Sequence, residues 1–468
     1  MAPSLRATTI RTFTMVLFVG FELMALVTVM PDVARLLHGE RWYALSFASA
    51  MASSVVGMVA TGLWSDRRGP AGPLLASLAL FALGLLICGL APGMGTLILG
   101  RIIQGLGGGG VSVTMYVVVG VIVPPALRPQ AFALLAAGWV LPTLVGPLLA
   151  AGIAHAFGWR WVFLGVVLLV VATAPVIVSI VRVLPEHRPE QPGEEGPTAG
   201  SAAHGPAAKG VGQLGWAALA GAGVLALDLI GGGGGWRTAT AVAVMVVVLI
   251  AARPLLPSGT LAMRPGLPSV VLTRGTLAAG FMAGEIYVPY ALQERWGWST
   301  LHAGMVLAAA GLSWTGASFL QARLRHWSDR SMLRLGTALV LAGLGGLTVV
   351  IAIPLPAAGF VAAYAVGAAG MGLSYPRTTM AALAVSTDSD RGFNSAALTI
   401  GDSLGSALSL AIIGLVFVAA GGVGKTAFVA AYAVTVGWVF LAALAARRTG
   451  SGASAGVAAS AEPGPAPE

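Results

Sequence analysis

Charged residues stand inside long apolar stretches of this 468-residue chain: the acids Glu22, Asp228, Glu285 and Asp402, and the base Arg101. A carboxyl in such a setting can take up a proton from one side and release it on the other. When ionised it attracts a cation, so a proton and a cationic ligand can compete for one group. By the helical rise, Glu22 lies ~15 Å from the start of its stretch, Glu285 ~16 Å beyond Arg274, and Asp402 ~13 Å beyond Phe393. The plainer alternative for each is a neutral carboxyl hydrogen-bonded to a neighbouring helix. Asp228, close to the end of its stretch, reads as an interfacial anchor. A cation buried in a span costs at least ~2.5–3.5 kcal/mol and faces a cavity or a partner. Within a turn or two of the end, as Arg101 is, it can instead snorkel to the interface.

Other chemistries are poorly supplied. No histidine falls in the middle of a stretch, so a histidine relay is not expected, and the single cysteine, Cys88, cannot form a disulfide within the chain. No convergent catalytic groups or metal-ligand spacings occur, so neither an enzyme nor a metal site is expected. Trp139, Trp314, Tyr287, Tyr290 and Tyr375 could line a cavity for aromatic compounds, or simply pack between helices.

The elements that must position these residues are membrane spans. The chain is 57% hydrophobic and 9% charged, with a mean hydropathy of +0.88, against about 25% charged in soluble domains. Apolar runs of about 20 residues suit helices that cross the hydrocarbon core. Fourteen are read: 12–30, 43–63, 73–91, 95–118, 130–154, 160–182, 213–231, 237–253, 270–292, 303–322, 333–353, 357–376, 393–418 and 426–446. The first is too long for a signal segment and no cleavage site comes after it, so it is expected to be retained. With both termini in the cytosol, most of the 26 Lys and Arg fall on the inner side, Arg274 and Arg377 among them, and few, such as Arg35, fall outside. That placement accounts for the net charge of +9 without nucleic acid. Residues 185–210, rich in Pro, Gly and Glu, and 449–468, rich in Gly, Ala, Ser and Pro, read as a disordered cytosolic linker and tail. The linker comes after six spans, which points to two bundles.

The stretch RIIQGLGGGG (101–110) contains a G-x-G-x-x-G pattern, but an apolar helix precedes it and no acid occurs between Asp66 and Glu186. A dinucleotide site needs a strand before, a helix after and an acid about 20 residues on. GGVGKT (421–426) has Ala419 where a P-loop needs its first glycine. Neither is a phosphate site. The glycines suit close helix contact in lipid.

Several motifs carry a family resemblance along nearly the whole chain. LILGRIIQGLGG (97–108), with Arg101, Gln104 and Gly105, resembles the fourth-helix signature of the major facilitator superfamily. GLWSDRRGPAGPL (62–74) is similar to its loop between helices two and three, matching at Gly62, Asp66, Arg67, Gly69 and Leu74, with Pro70 and Ala71 in place of a basic pair. PTLVGPLLAA (142–151) resembles the antiporter motif of helix five at Gly146 and Pro147. WRWVF (159–163) is similar to the segment just beyond that motif in drug exporters. Glu22 to Pro31 resembles the D-x₈-P signature of the fourteen-helix drug/proton antiporters, with Glu for Asp. GGW (234–236) and YALQERWGWSTLHAG (290–304) look like the same branch.

The resemblance implies an all-α polytopic membrane protein of the major facilitator fold. Two six-helix bundles (1–184 and 256–448) would be joined by the linker and by two extra transmembrane helices (211–255). It implies proton-coupled efflux of small hydrophobic, cationic compounds across the cytoplasmic membrane, by a monomer that needs a proton gradient and no cofactor. Glu22 and Glu285, from opposite bundles, would share one cavity with Arg101, and Asp402 would be next in line. Asp66 and Arg67 would latch the inner ends of the bundles. A dedicated exporter of one metabolite or lipid, or a transporter-like receptor without a transport cycle, remain as other readings.

Overall fold

Each apolar run becomes a helix in a computed structural model that describes residues 3–122, 128–181, 207–230, 235–324, 327–353, 355–386 and 391–449. The fourteen α-helices are α1 (Pro3–Leu36), α2 (Tyr43–Arg68), α3 (Ala71–Gly89), α4 (Met94–Ile122), α5 (Arg128–Phe157), α6 (Arg160–Val181), α7 (Ala207–Ile230), α8 (Gly235–Ala252), α9 (Leu267–Trp296), α10 (Thr300–Arg323), α11 (Asp329–Ala352), α12 (Ala357–Ala384), α13 (Arg391–Ala419) and α14 (Lys425–Ala446). No strand occurs among the described residues. The architecture is an all-helical, multi-pass one, as the runs imply.

Local signals set the helix ends. Ser299 and Ser328 cap α10 and α11, their hydroxyls accepting the main-chain N–H of His302 and Ser331. Gly69, at φ 77°, and Gly297, at φ 66°, close α2 and α9 in conformations that other residues resist. Helix α12 runs well past the expected end at residue 376, and α7 begins at Ala207, so the last residues of the expected linker are helical. The rest of that linker, and residues 450–468 of the tail, lie outside the described residues.

The glycine run settles how α4 packs. A Cβ at Gly105 would stand 2.2 Å from the carbonyl oxygen of Ala50 on α2, and one at Gly109 2.1 Å from that of Ser54. On the opposite face, a Cβ at Gly107 would lie 2.3 Å from the main-chain nitrogen of Phe81 on α3. Helix α4 is therefore wedged backbone to backbone between α2 and α3.

Nine helices among the described residues are long and apolar enough to cross a membrane. Helix α9 is not one of them, with Arg274, Glu285, Glu294 and Arg295 along it. Glu294 and Arg295 are exposed at its end, and Arg274 and Glu285 are met by side chains of neighbouring helices, Asp402 and Tyr364.

The first and second halves meet where α2 packs on α13 and α5 on α10; α7 lies against both α2 and α13, and α8 against α7. Arg35, at the end of α1, donates to Glu294 Oε1 and Gln293 Oε1 at 2.6 Å each, near the end of α9. Asp32 accepts from both Arg35 and the hydroxyl of Thr300 on α10. The Tyr43 hydroxyl, at the start of α2, donates to the Ile286 carbonyl on α9 at 2.6 Å. These bonds between the halves all gather toward the end where α1 and α9 finish.

Candidate functional site

Two clusters of buried charge stand out, one in each half. In the first, Arg101 Nη1 donates to Glu22 Oε1 at 2.7 Å and to Gln104 Oε1 at 2.5 Å, while Nε donates to the Ser46 carbonyl at 3.0 Å. The Arg101 and Glu22 side chains are only 2% and 9% exposed. The one-turn spacing of Arg101 and Gln104 puts both on the same face of α4, and the glycines beyond bring that face within reach of α1 and α2. Snorkelling is thereby excluded: Arg101 turns inward and ties three helices together.

In the second half, Arg274 on α9 donates through Nε to both oxygens of Asp402 on α13, at 3.2 and 2.9 Å, and through Nη1 to the Thr379 hydroxyl at 2.5 Å. The Tyr375 hydroxyl donates to Asp402 Oδ2 at 2.6 Å, and the guanidinium carbon lies 4.0 Å from the centre of the Tyr375 ring. From there a ladder of rings runs on: Tyr375 to Trp314, Trp314 to Phe281, Phe281 to Tyr364, each pair 5.7 Å apart. At its far end, the Tyr364 hydroxyl donates to Glu285 Oε1 at 2.5 Å. A line of four aromatic rings thus ends in a carboxylate at each side.

Arg274 falls at the inner end of the expected ninth span (270–292), where nothing in the sequence marks it as a site residue. It lies inside α9, and its charge is met by Asp402. Arg377 moves from loop to helix interior, where it bonds Gln321 and Asp329. Phe281, Tyr364 and Thr379 are not singled out by sequence reasoning either. The signal is present all the same: Arg274, Phe281 and Glu285 are spaced i, i+7, i+11, which is one face of a helix, and Tyr364 and Tyr375 on α12 are also eleven apart.

Other expectations resolve differently. Glu22 and Glu285 are each bonded within their own half, to Arg101 and Tyr364. Asp228, near the end of α7, faces α13: Oδ1 lies 2.7 Å from where a Cβ on Gly414 would stand. Its Oδ2 is buried without a hydrogen-bond partner among the described residues. Tyr287 and Tyr290 pack with Tyr43, Phe417 and Phe428 at the seam between the halves, and the Trp139 side chain lies outside the described residues. Gly62, Asp66, Arg67 and Gly69 lie on the last turns of α2, with Asp66 and Arg67 exposed. In α5, a Cβ on Gly146 would stand 3.2 Å from Met24 Cβ of α1, and the Pro147 carbonyl oxygen is 3.2 Å from where a Cβ on Gly304 of α10 would stand. The two motif residues of α5 therefore lie where α1 and the second half converge.

Fourteen packed helices in two halves, with charged clusters in the interior of each, define a multi-pass membrane protein built like a solute carrier. The chain belongs to the Major Facilitator Superfamily, whose sequence profile matches residues 12–383. It is 31% identical over 154 residues to a probable multidrug-efflux transporter of Mycobacterium tuberculosis, a match covering 33% of this chain and 32% of that one. It is 33% identical over 136 residues to multidrug resistance protein 3 of Bacillus subtilis, covering 29% and 27%. These matches span about a third or less of the curated relatives' length. A bacterial homologue of the human lysosomal transporter Spinster, solved in an inward-facing and unoccupied conformation, shares the fold. Its TM-score is 0.68 at 15% identity, over 96% of this chain and 98% of that one.

Proposed function

We propose that the chain is a proton-coupled exporter of small hydrophobic cations in the fourteen-helix drug/proton antiporter branch, working as a monomer in the cytoplasmic membrane with both termini inside. The observation that carries this reading is the aromatic ladder ending in Glu285 and Asp402. Flat apolar surface flanked by carboxylates suits a lipophilic cation, and the same carboxylates can hold a proton instead. Glu22 and Glu285 are the proton carriers of this account. A proton on Glu22 removes the charge that holds Arg101, and so links protonation to the packing of α1, α2 and α4. Asp66 and Arg67 act as the inner latch. With the termini inside, the end where α1 and α9 finish is the outer one, and the bonds between the halves close the molecule there.

The test is accumulation of a panel of cationic and neutral dyes in cells lacking their own exporters. Cells making the protein should hold less of the cationic dyes, and a protonophore should erase the difference. Equal accumulation with and without the protein across the panel removes the efflux reading. Unchanged efflux under the protonophore removes the proton coupling.

A further inference from the structure

Arg274 is held as a ligand would be held. Its guanidinium lies against the face of Tyr375 at 4.0 Å and is bonded to Asp402 at 2.9 Å. A cation set between an aromatic face and a carboxylate is the arrangement by which proteins recognise organic ammonium and guanidinium groups.

The other buried arginines have a main-chain anchor. Arg101 and Arg377 each bond a main-chain carbonyl, of Ser46 and Gln321 respectively, which cannot turn away from its helix. The bonds from Arg274 to Asp402 and Thr379 and its contact with Tyr375 are made to side chains, which can turn. Accessibility separates the pairs too. Arg274 and Asp402 are 13% and 14% exposed, whereas Arg101 is sealed at 2%. Beyond Tyr375, the half-buried Trp314 offers a second ring to anything that takes the place of the guanidinium.

We propose that Arg274 is a built-in competitor for a cation site made by Asp402, Tyr375 and Trp314. In the empty protein the guanidinium fills the site, and a planar aromatic monocation binds by displacing it, stacking on the rings and taking over Asp402. The device has a physical logic. An isolated carboxylate in an apolar interior is costly, and an internal cation offsets that cost whenever the ligand is absent. Return of Arg274 also supplies a force for release. The inference rests on the export reading for its class of ligand, but equilibrium binding reports it without any gradient or turnover.

The experiment is binding of ethidium, a planar aromatic cation, to the full chain in lipid nanodiscs, with uncharged phenanthridinone as the control. Arg274→Gln should tighten ethidium binding about fivefold or more, as removal of a competing cation contact predicts. Thr379→Val, which keeps the arginine but removes one of its anchors, should tighten it by a smaller factor. Phenanthridinone binding should not move, and adding Asp402→Asn to either variant should abolish the gain. Should Arg274→Gln fail to yield a monodisperse protein, Thr379→Val decides alone. The proposal is overturned if neither variant binds ethidium more tightly, if the gain survives Asp402→Asn, if phenanthridinone gains equally, or if ethidium binds none of these proteins. Loss of proton-driven efflux with the binding pattern intact would instead count against the coupling and leave the cation site standing.

Discussion

Glu22 and Arg101 form an ion pair in a nearly dry setting, and that setting governs its energetics. Removing one member leaves the other charge unmatched, which costs ~3–5 kcal/mol, whereas removing both leaves apolar packing that is far better tolerated. Arg101→Met should therefore lower the melting temperature of the detergent-solubilised protein sharply, and adding Glu22→Gln should recover much of the loss. Strictly additive losses in that double-mutant cycle would deny the pairing. Asp228 behaves oppositely. One of its oxygens is buried and unbonded among the described residues, so Asp228→Asn removes a costly group at nearly constant volume and should leave the melting temperature equal or higher. A marked drop would reveal a partner that the geometry does not show. At this scale the sequence is informative about acids and less so about bases. Glu22, Glu285, Asp402 and Arg101 interrupt apolar runs and are visible as exceptions. Arg274 sits near the start of the expected ninth span, where a basic residue reads as one more inner-side charge, and only its partner Asp402, far along the chain, shows that it is paired between helices.

Helix α4 shows how an element brings such charges together. Its glycines at 105, 107 and 109 let it approach α2 and α3 until main chains touch, and this proximity brings Arg101 to Ser46 and Glu22. Gly109→Leu should cost ~3 kcal/mol or more and remove most of the folded protein in fluorescence-detected size exclusion, because the clash is with backbone, which cannot turn aside. Gly152→Ala on α5, where a Cβ meets nothing within 4 Å, should be silent. Equal yields from the two would contradict the wedge. The glycine run is legible as a helix contact because a nucleotide loop requires an acid and a strand that are missing. Which helices it touches is not legible, since that depends on contacts between residues far apart in sequence. Helices α9 and α12 make a related point: the eleven-residue spacings that align Arg274 with Glu285 and Tyr364 with Tyr375 are written in the sequence, but they gain meaning only when the two helices lie side by side with α13.

Across the whole molecule, several helix ends differ from the expected spans, α1 running from Pro3 to Leu36 and α12 to Ala384, but the fourteen helical segments themselves are legible, because each follows from an apolar run. How the halves meet is not, and the structure supplies it: bonds between them gather at one end, around Arg35, Glu294, Tyr43 and Ile286. The central claim is that this two-halved body exchanges protons for cations through its interior carboxyls. The most direct measurement uses proteoliposomes with an acidic lumen, tracking ethidium uptake and lumenal pH together at zero membrane potential. The wild-type protein should concentrate ethidium while the lumen loses protons, and at least one of Glu285→Gln and Glu22→Gln should abolish that uptake yet still bind ethidium. Wild-type rates of proton-linked uptake in both variants would contradict the account.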